Sequence, residues 1–144
     1  MLLFRGQLQF ASESLELRQE LNKVAIKMIK KYPLTGVGLN NFIPSLTQFK
    51  KGLSYQELQP VHNIYLLIGA ESGLMGLGLF LWLIYLSYRK FLQGNNEITK
   101  QRNKKLSIIL TAILLLGLFD HYFFTLQQTQ LLFAVVMGMV FGVE

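Results

Sequence analysis

The stretch HNIYLLIGAESGLMGLGLFLWLIYLSY, residues 62–88, decides the fold class. Its apolar part runs from Ile64 to Tyr88, about 25 residues, which is long enough to cross a lipid bilayer with some tilt. Two further apolar blocks follow, and a span needs only about 18–20 residues. The sequence therefore predicts an all-α fold, a fragment of a polytopic membrane protein with three transmembrane helices at about residues 64–88, 106–124 and 126–143.

The composition favours the same class. Of the 144 residues, 51% are apolar and 15% are charged, and the apolar residues come in blocks, which is unusual for a soluble domain. The chain has no cysteine, which excludes a disulfide framework and a thiolate metal site. Its two histidines, His62 and His121, lie far apart in the sequence and lack metal-ligand spacing. We therefore expect no metal, no cofactor, and a membrane rather than nucleic acid as the partner.

The segment between the first two apolar blocks sets the expected topology. Residues 89–105 hold six Lys/Arg against one Glu, and short loops of that charge stay in the cytoplasm. The sequence thus predicts a multi-pass protein of the cytoplasmic (inner) membrane, with residues 62–144 as its membrane region. His62, Asp120 and His121 would then lie on the extracytoplasmic side.

Residues 1–61 form an extracytoplasmic loop region in this topology. They hold eight Lys/Arg, but long segments that translocate as domains follow the charge rule only weakly. Nothing in the sequence before the first span carries this region across a membrane. We therefore expect the chain to be the C-terminal portion of a longer polytopic protein.

An amphipathic helix is predicted at about residues 14–31 of the loop region. Its apolar side chains recur with helical spacing, at Leu17, Leu21, Val24, Ala25, Met28 and Ile29. Pro33 ends it, because the residue before a proline avoids the helical region. This helix would lie on the membrane surface or on other helices. Alternatively, an anionic substrate would face the cations of this helix, which are Arg18, Lys23, Lys27 and Lys30.

A glycine turn follows at Gly36 and Gly38, and its exposed amides are a weak candidate for phosphate binding. If residues 62–80 are one helix, a narrow stripe on it begins at His62 and continues through small residues that let another helix approach closely. The other members of the stripe are Leu66, Gly69, Gly73 and Gly76. Glu71 falls on the opposite face, and we interpret it as a buried hydrogen-bonding anchor rather than a catalytic group.

Polar residues gather again at the outer end of the second span, in GLFDHYFFTLQQTQ. Asp120 could orient a histidine or hold an acceptor hydroxyl. The competing interpretation is a solvated turn between two spans. For His62 the alternatives are likewise an active-site role and an interfacial residue satisfied by backbone.

Three pieces of the sequence carry a family resemblance. The first is an arginine-led amphipathic segment from Arg18 that ends in Pro-Leu-x-Gly-x-Gly. The second is His62-Asn63, then nine residues, Gly73, two residues and Gly76, and the third is a pair of closing spans with Asp-His-Tyr between them. Over nearly all of its length the chain resembles the C-terminal half of the O-antigen ligase/O-antigen polymerase membrane family of bacterial glycan enzymes.

The resemblance implies a glycosyltransferase of lipopolysaccharide or other cell-envelope polysaccharide synthesis. It would move a glycan from an undecaprenyl-diphosphate carrier to a glycan, lipid or protein acceptor outside the cytoplasmic membrane, without a metal. His62 matches the motif histidine and Arg18 the arginine that opens the loop helix, so these two are the expected catalytic residues. The expected substrate-binding residues are Lys23, Lys27, Asn63, Asp120 and His121. The alternative function is a non-catalytic membrane subunit or a transporter fragment.

Overall fold

The computed structural model describes residues 2–52, 54, 57–93 and 96–142. Six helices form this part of the chain, and it contains no β-strand, as predicted for an all-α fold. The helices are α1 (Leu2–Lys31), α2 (Phe42–Phe49), α3 (Ile64–Phe91), α4 (Glu97–Leu116), α5 (Tyr122–Thr125) and α6 (Gln127–Phe141). Three predicted boundaries lie outside the described residues. They are the start of the loop region at Met1, the end of the membrane region at Glu144 and the end of the third span at Val143.

One described helix, α3, is long and apolar enough to cross a membrane, with 28 residues. Helix α6 is apolar but has 15 residues. Residues 106–124 do not form one continuous helix, because α4 ends at Leu116 and a turn separates it from the four-residue α5. The predicted loop 89–105 is also shorter than expected, because α4 already begins at Glu97. Three spans and their sidedness stay predictions.

Helix α1 confirms the predicted amphipathic helix and begins earlier in the chain. Leu21, Val24, Ala25 and Met28 are buried in one core with side chains of α2 and α3. Lys30 and Lys31 lie in its last turn, where cations suit the negative end of the helix dipole. The pattern allowed this apolar face to lie on the membrane surface or on other helices. It packs on other helices of the same chain.

Helix α3 breaks at Gly73, so the predicted stripe from His62 to Gly76 on one continuous helix is wrong. Gly73 has φ 70° and ψ −172°, a backbone conformation that favours glycine. His62 also lies outside α3, which begins at Ile64. The break interrupts the hydrogen-bond ladder of α3 and leaves backbone groups that need other partners.

The turn around Gly36 supplies those partners. The backbone N–H groups of Val37 and Gly38 donate to the carbonyls of Ala70 and Glu71 at 2.8 and 2.9 Å, and Leu74 N–H donates to the carbonyl of Pro33 at 2.7 Å. These bonds use the amides of Val37 and Gly38 that were candidates for phosphate binding, so that expectation is wrong. The glycine turn instead joins the loop region to α3 by backbone hydrogen bonds.

Close approach explains why glycines stand at this junction. A Cβ atom at Gly73 would lie 2.3 Å from the carbonyl oxygen of Leu34, and one at Gly36 would lie 2.4 Å from the carbonyl carbon of Glu71. Glu71 adds a side-chain contact, since its Oε1 accepts a hydrogen bond of 3.2 Å from Phe42 N–H at the start of α2. Glu71 is 5% exposed, which confirms the predicted buried anchor.

A second, smaller core joins the part of α3 after Gly73 to α4 and α6. It consists of the buried side chains of Ile84, Leu110, Ile113 and Val136, with aromatic side chains such as Phe80 and Phe133 packed against them. The closing helices therefore share this second core with the part of α3 after its break, while α1 and α2 share the first core with the part before the break. The ends of these two packing units meet at residues 62–65.

Candidate functional site

Three consecutive residues fasten the start of α3 to the end of α4. The last carbonyls of a helix have no partner within the helix, and here the neighbouring chain provides donors. The bonds run from Asn63 Nδ2 to the Leu118 carbonyl at 3.1 Å, from Ile64 N–H to that of Gly117 at 2.8 Å, and from Tyr65 OH to that of Leu114 at 3.0 Å. This junction fixes the turn after α4 beside His62.

Asn63 has a structural task at this junction. Its Oδ1 accepts a hydrogen bond of 2.9 Å from Leu66 N–H, which makes it the N-cap of α3. Its Nδ2 is bound to the Leu118 carbonyl. Both polar ends of the side chain therefore have protein partners, and its role in substrate binding stays a prediction.

His62, Asp120 and His121 come together in a cluster that the sequence distributes over two distant segments. His62 Nδ1 lies 3.6 Å from Asp120 Oδ1, and His121 Nε2 lies 4.0 Å from the same oxygen. The two imidazole rings are 5.0 Å apart between centroids. The side chains of His62 and His121 are mostly buried, whereas that of Asp120 is 30% exposed.

On each histidine, the ring nitrogen that does not face Asp120 has a partner that the sequence pattern did not single out. Gln59 Oε1 lies 3.1 Å from His62 Nε2, and Thr125 Oγ1 lies 2.7 Å from His121 Nδ1. Thr125 could have been found, because it stands four residues after His121 and such pairs share one helix face. Gln59 gave no signal beyond its nearness to His62 in the sequence.

Arg18 of α1 has an exposed side chain, and its charge acts on both histidines. Burial lowers the pKa of His62 below its ordinary value of 6.5, and the positive charge of Arg18 lowers this pKa further. The Asp120 carboxylate opposes both effects and raises the pKa of His62. The balance leaves a neutral imidazole at neutral pH, which is the form that accepts a proton.

The two lysines proposed for substrate binding are not part of this cluster. Lys23 pairs with Glu20 at 2.9 Å on the surface of α1, and Lys27 is exposed. Neither lysine makes a hydrogen bond or an ion pair with His62, Asp120 or His121. Their contact with substrate stays a prediction.

An apolar cavity of about 240 Å³ is lined in part by Ile64 and Phe123, which lie two residues after His62 and His121 in the sequence. Its walls come from α3 on both sides of Gly73 and from α4, α5 and α6, and include Ile64, Ile68, Phe80, Ile113, Phe123 and Phe133. A cavity of this lining suits a hydrocarbon chain rather than a sugar. Polar chemistry and apolar volume thus adjoin at the His62 end of α3.

The cluster also offers one possible ligand atom from each of His62, Asp120 and His121, all within 4.8 Å of one another. Such a set has the donor types that divalent transition metals use. The nearby charge of Arg18, however, opposes a second cation at the same place. The arrangement fits proton transfer beside an anionic group better than metal binding.

Comparison with known families gives a match over the first part of the chain. The family model described as O-antigen ligase matches residues 2–81, which is more than half of the chain. The match includes α1, the glycine turn, His62 and the first half of α3. No curated relative and no solved structure matches the chain.

Proposed function

The chain belongs to the O-antigen ligase family, and from this premise we propose that it is part of a membrane glycosyltransferase that uses an undecaprenyl-diphosphate-linked glycan as donor. The family implies glycosyltransferase-like activity at a membrane. The proposal adds the donor, an acceptor hydroxyl of a glycan, lipid or protein on the outer face of the cytoplasmic membrane, and the residues that act.

Arg18 binds the diphosphate in this proposal. A diphosphate gains negative charge as it leaves the sugar, and a guanidinium group can hold two of its oxygens at once. The side chain of Arg18 is exposed, and its charge reaches His62 and His121. Support for this role therefore comes from the effect of its charge on the histidines as well as from its sequence position.

His62 accepts the proton of the acceptor hydroxyl. Its Nδ1 faces Asp120, so its Nε2 is the atom that meets the hydroxyl once the side chain of Gln59 has moved aside. The hydroxyl oxygen forms a bond to the anomeric carbon of the donor while the bond from that carbon to the phosphate oxygen breaks. The proton passes to His62, and undecaprenyl diphosphate leaves with the bonding electron pair.

Asp120 and the apolar cavity complete the proposal. The Asp120 carboxylate stabilises the imidazolium that forms, because it lies 3.6 Å from Nδ1. The apolar cavity lined by Ile64 and Phe123 takes the first part of the polyprenyl chain, while the diphosphate stays near Arg18. The observation that carries the whole proposal is the approach of Asp120 to His62 at 3.6 Å beside the start of a membrane-length helix, where the charge of Arg18 also acts on His62.

A transfer assay tests the proposal. Membrane vesicles that contain the full-length protein are supplied with lipid-linked glycan, and loss of the donor and appearance of the product are followed. We expect Arg18→Ala and His62→Ala each to reduce the transfer rate by about 100-fold or more. Lys30→Ala serves as the matched control, since it removes an exposed cation from the same helix away from the cluster.

Two results would count against the proposal. If His62→Ala left the rate intact, His62 would not be the proton acceptor. If folded wild-type protein transferred no glycan to any acceptor tried, the chain would have the non-catalytic role that the sequence left open.

A further inference from the structure

A second groove lies at the opposite end of α3, away from His62. It has a volume of about 580 Å³ and separates the last residues of α3 from the first half of α4. Its lining includes Phe91, Leu92, Lys100, Lys104, Ser107 and Ile108. Nothing in the proposed glycan transfer uses this groove.

Hydrogen bonds join the two walls of the groove. Asn103 Nδ2 donates to the carbonyls of Lys90 and Phe91 at 3.4 and 3.3 Å, which joins α4 to the end of α3. Closer to the middle of both helices, Tyr88 OH and Thr111 Oγ1 are hydrogen-bonded at 2.6 Å. The walls are therefore parts of two helices in defined register rather than a loose loop.

The groove has one basic edge and one apolar wall. Lys100 and Lys104 stand one turn apart on α4, so their ammonium groups share one face of the helix. Leu92 is 86% exposed and Ile108 is 60% exposed, and both line the groove. Apolar side chains that stay exposed beside lysines match a ligand with an anionic head and a hydrocarbon chain.

The charge of this edge is not neutralised by its neighbours. Residues 89–105 hold six Lys/Arg against one acidic residue, Glu97. Glu97 pairs with Lys100 at 3.0 Å, but both side chains are mostly exposed, and surface pairs of this kind are weak. The groove also adjoins the end of α3, the helix that is long enough to cross a membrane. The ends of a helix that crosses a bilayer lie at the level of the lipid head groups.

We propose that this groove binds an anionic glycerophospholipid. Its phosphate lies between Lys100 and Lys104, with the Ser107 hydroxyl nearby, and one acyl chain follows Phe91, Leu92 and Ile108. The site is independent of the proposed glycan transfer. A soluble phosphate compound would use the lysines but would leave the apolar wall exposed, so the lipid is the better fit.

Native mass spectrometry of the full-length protein in detergent tests this site. The protein is titrated with phosphatidylglycerol and, separately, with phosphatidylcholine, and bound lipids are counted. We expect Lys100→Ala/Lys104→Ala to weaken phosphatidylglycerol binding by about tenfold or more. The matched control, Arg89→Ala/Lys105→Ala, removes the same charge outside the groove and should weaken binding by less than about threefold.

Ile108→Asn tests the apolar wall with both lysines intact, and it should also weaken phosphatidylglycerol binding. Size-exclusion profiles confirm that each variant is folded, and Lys100→Arg/Lys104→Arg should retain binding because it keeps both charges. Equal losses in the two alanine pairs would overturn the proposal in favour of diffuse attraction. Displacement of the lipid by inorganic phosphate at equal concentration would overturn it in favour of a soluble anion, and equal binding of phosphatidylcholine would overturn it as well.

Discussion

The half of α3 before Gly73 and the half after it pack in different surroundings. Before Gly73, the helix buries Leu67, Ala70 and Glu71 against α1, α2 and the glycine turn. After Gly73, most large apolar side chains are exposed, and Leu79 at 68% is an example. The first half is built as an interior helix of a protein, whereas the second presents a surface for lipid or for other helices.

The break at Gly73 is what separates these two environments. It lets the chain segment around Leu34 enter the helix and bond with it on both sides of the break. The loop region is thereby attached to the half of α3 that follows His62. One helix can thus serve as membrane span and as support for a polar site, because each half packs according to its own neighbours.

The largest expected effect concerns Gly73 itself. Gly73→Ala would place a methyl group against the Leu34 carbonyl in a strained backbone conformation, so we expect a loss of stability on the order of 3 kcal/mol. Gly78→Ala is the matched control in the second half, because nothing lies within 4 Å of its added Cβ, and it should gain up to about 1 kcal/mol. Thermal unfolding of the full-length protein in detergent measures both. Equal effects would remove the distinction between the halves.

Glu71 gives the next largest effect. Glu71→Leu leaves the buried Phe42 N–H without its acceptor and should cost about 1–3 kcal/mol. Glu71→Gln keeps a carbonyl oxygen and should cost less. The comparison residue in the second half is Ser87, whose hydroxyl donates to a helix carbonyl, and Ser87→Ala should cost under about 1 kcal/mol. A larger loss for Ser87→Ala than for Glu71→Leu, measured by the same unfolding assay, would reverse the comparison.

Helix caps provide a smaller test. Asn63→Ala removes the N-cap of α3 and its bond to the Leu118 carbonyl, so we expect a cost of about 1–2 kcal/mol. Asn96→Ala removes the N-cap of α4, which has an exposed bond to Thr99 N–H, and should cost about 0.5–1 kcal/mol. Unfolding without substrate separates this structural role from binding. If the two caps cost the same, the junction at residues 63–65 would add nothing to the cap.

The pH dependence of transfer gives the smallest effect and examines the polar end of the first half. His62 must be neutral to accept a proton, so the rate should stay level through neutral pH and fall only below the ordinary histidine pKa of 6.5. The groups that face His62 are Arg18, Asp120, His121 and the neutral Gln59.

Asp120→Asn removes the carboxylate that raises the pKa of His62, so the acidic limb of the residual rate should move to lower pH. The rate is followed with the lipid-linked donor from acidic to neutral pH. A limb that moved to higher pH, or did not move, would show that Asp120 does not act on His62.

Sequence reasoning reached the parts of this molecule that depend on local pattern. The apolar face of α1 follows from helical spacing, and Glu71 as an anchor follows from the cost of an isolated charge in an apolar run. The break at Gly73 did not follow, because glycines at helical spacing fit close helix packing just as well as a backbone turn. The end of α4 at Leu116 was missed because the residues after it are apolar, and its carbonyls are satisfied by residues distant in sequence.

The sequence predicted three members of the site but not its geometry. His62, Asp120 and His121 were placed on one side by the expected topology, yet their distances depend on the junction between α3 and α4. The same junction brings in Thr125, whose bond to His121 needs the short helix α5. The position of Arg18 depends on how α1 packs, which no local pattern contains.

Cysteine cross-linking tests most directly whether α1 lies on the first half of α3 and so brings Arg18 to His62. The chain has no cysteine of its own, and a Cβ at Gly69 would lie 3.0 Å from Ile29 Cδ1. Ile29→Cys with Gly69→Cys should cross-link rapidly in membranes with a short bifunctional reagent, whereas Ile26→Cys, on the exposed side of α1, should not react with Gly69→Cys. Equal reaction of both pairs, or of neither, would contradict the account and would favour a loop helix that lies on the membrane surface.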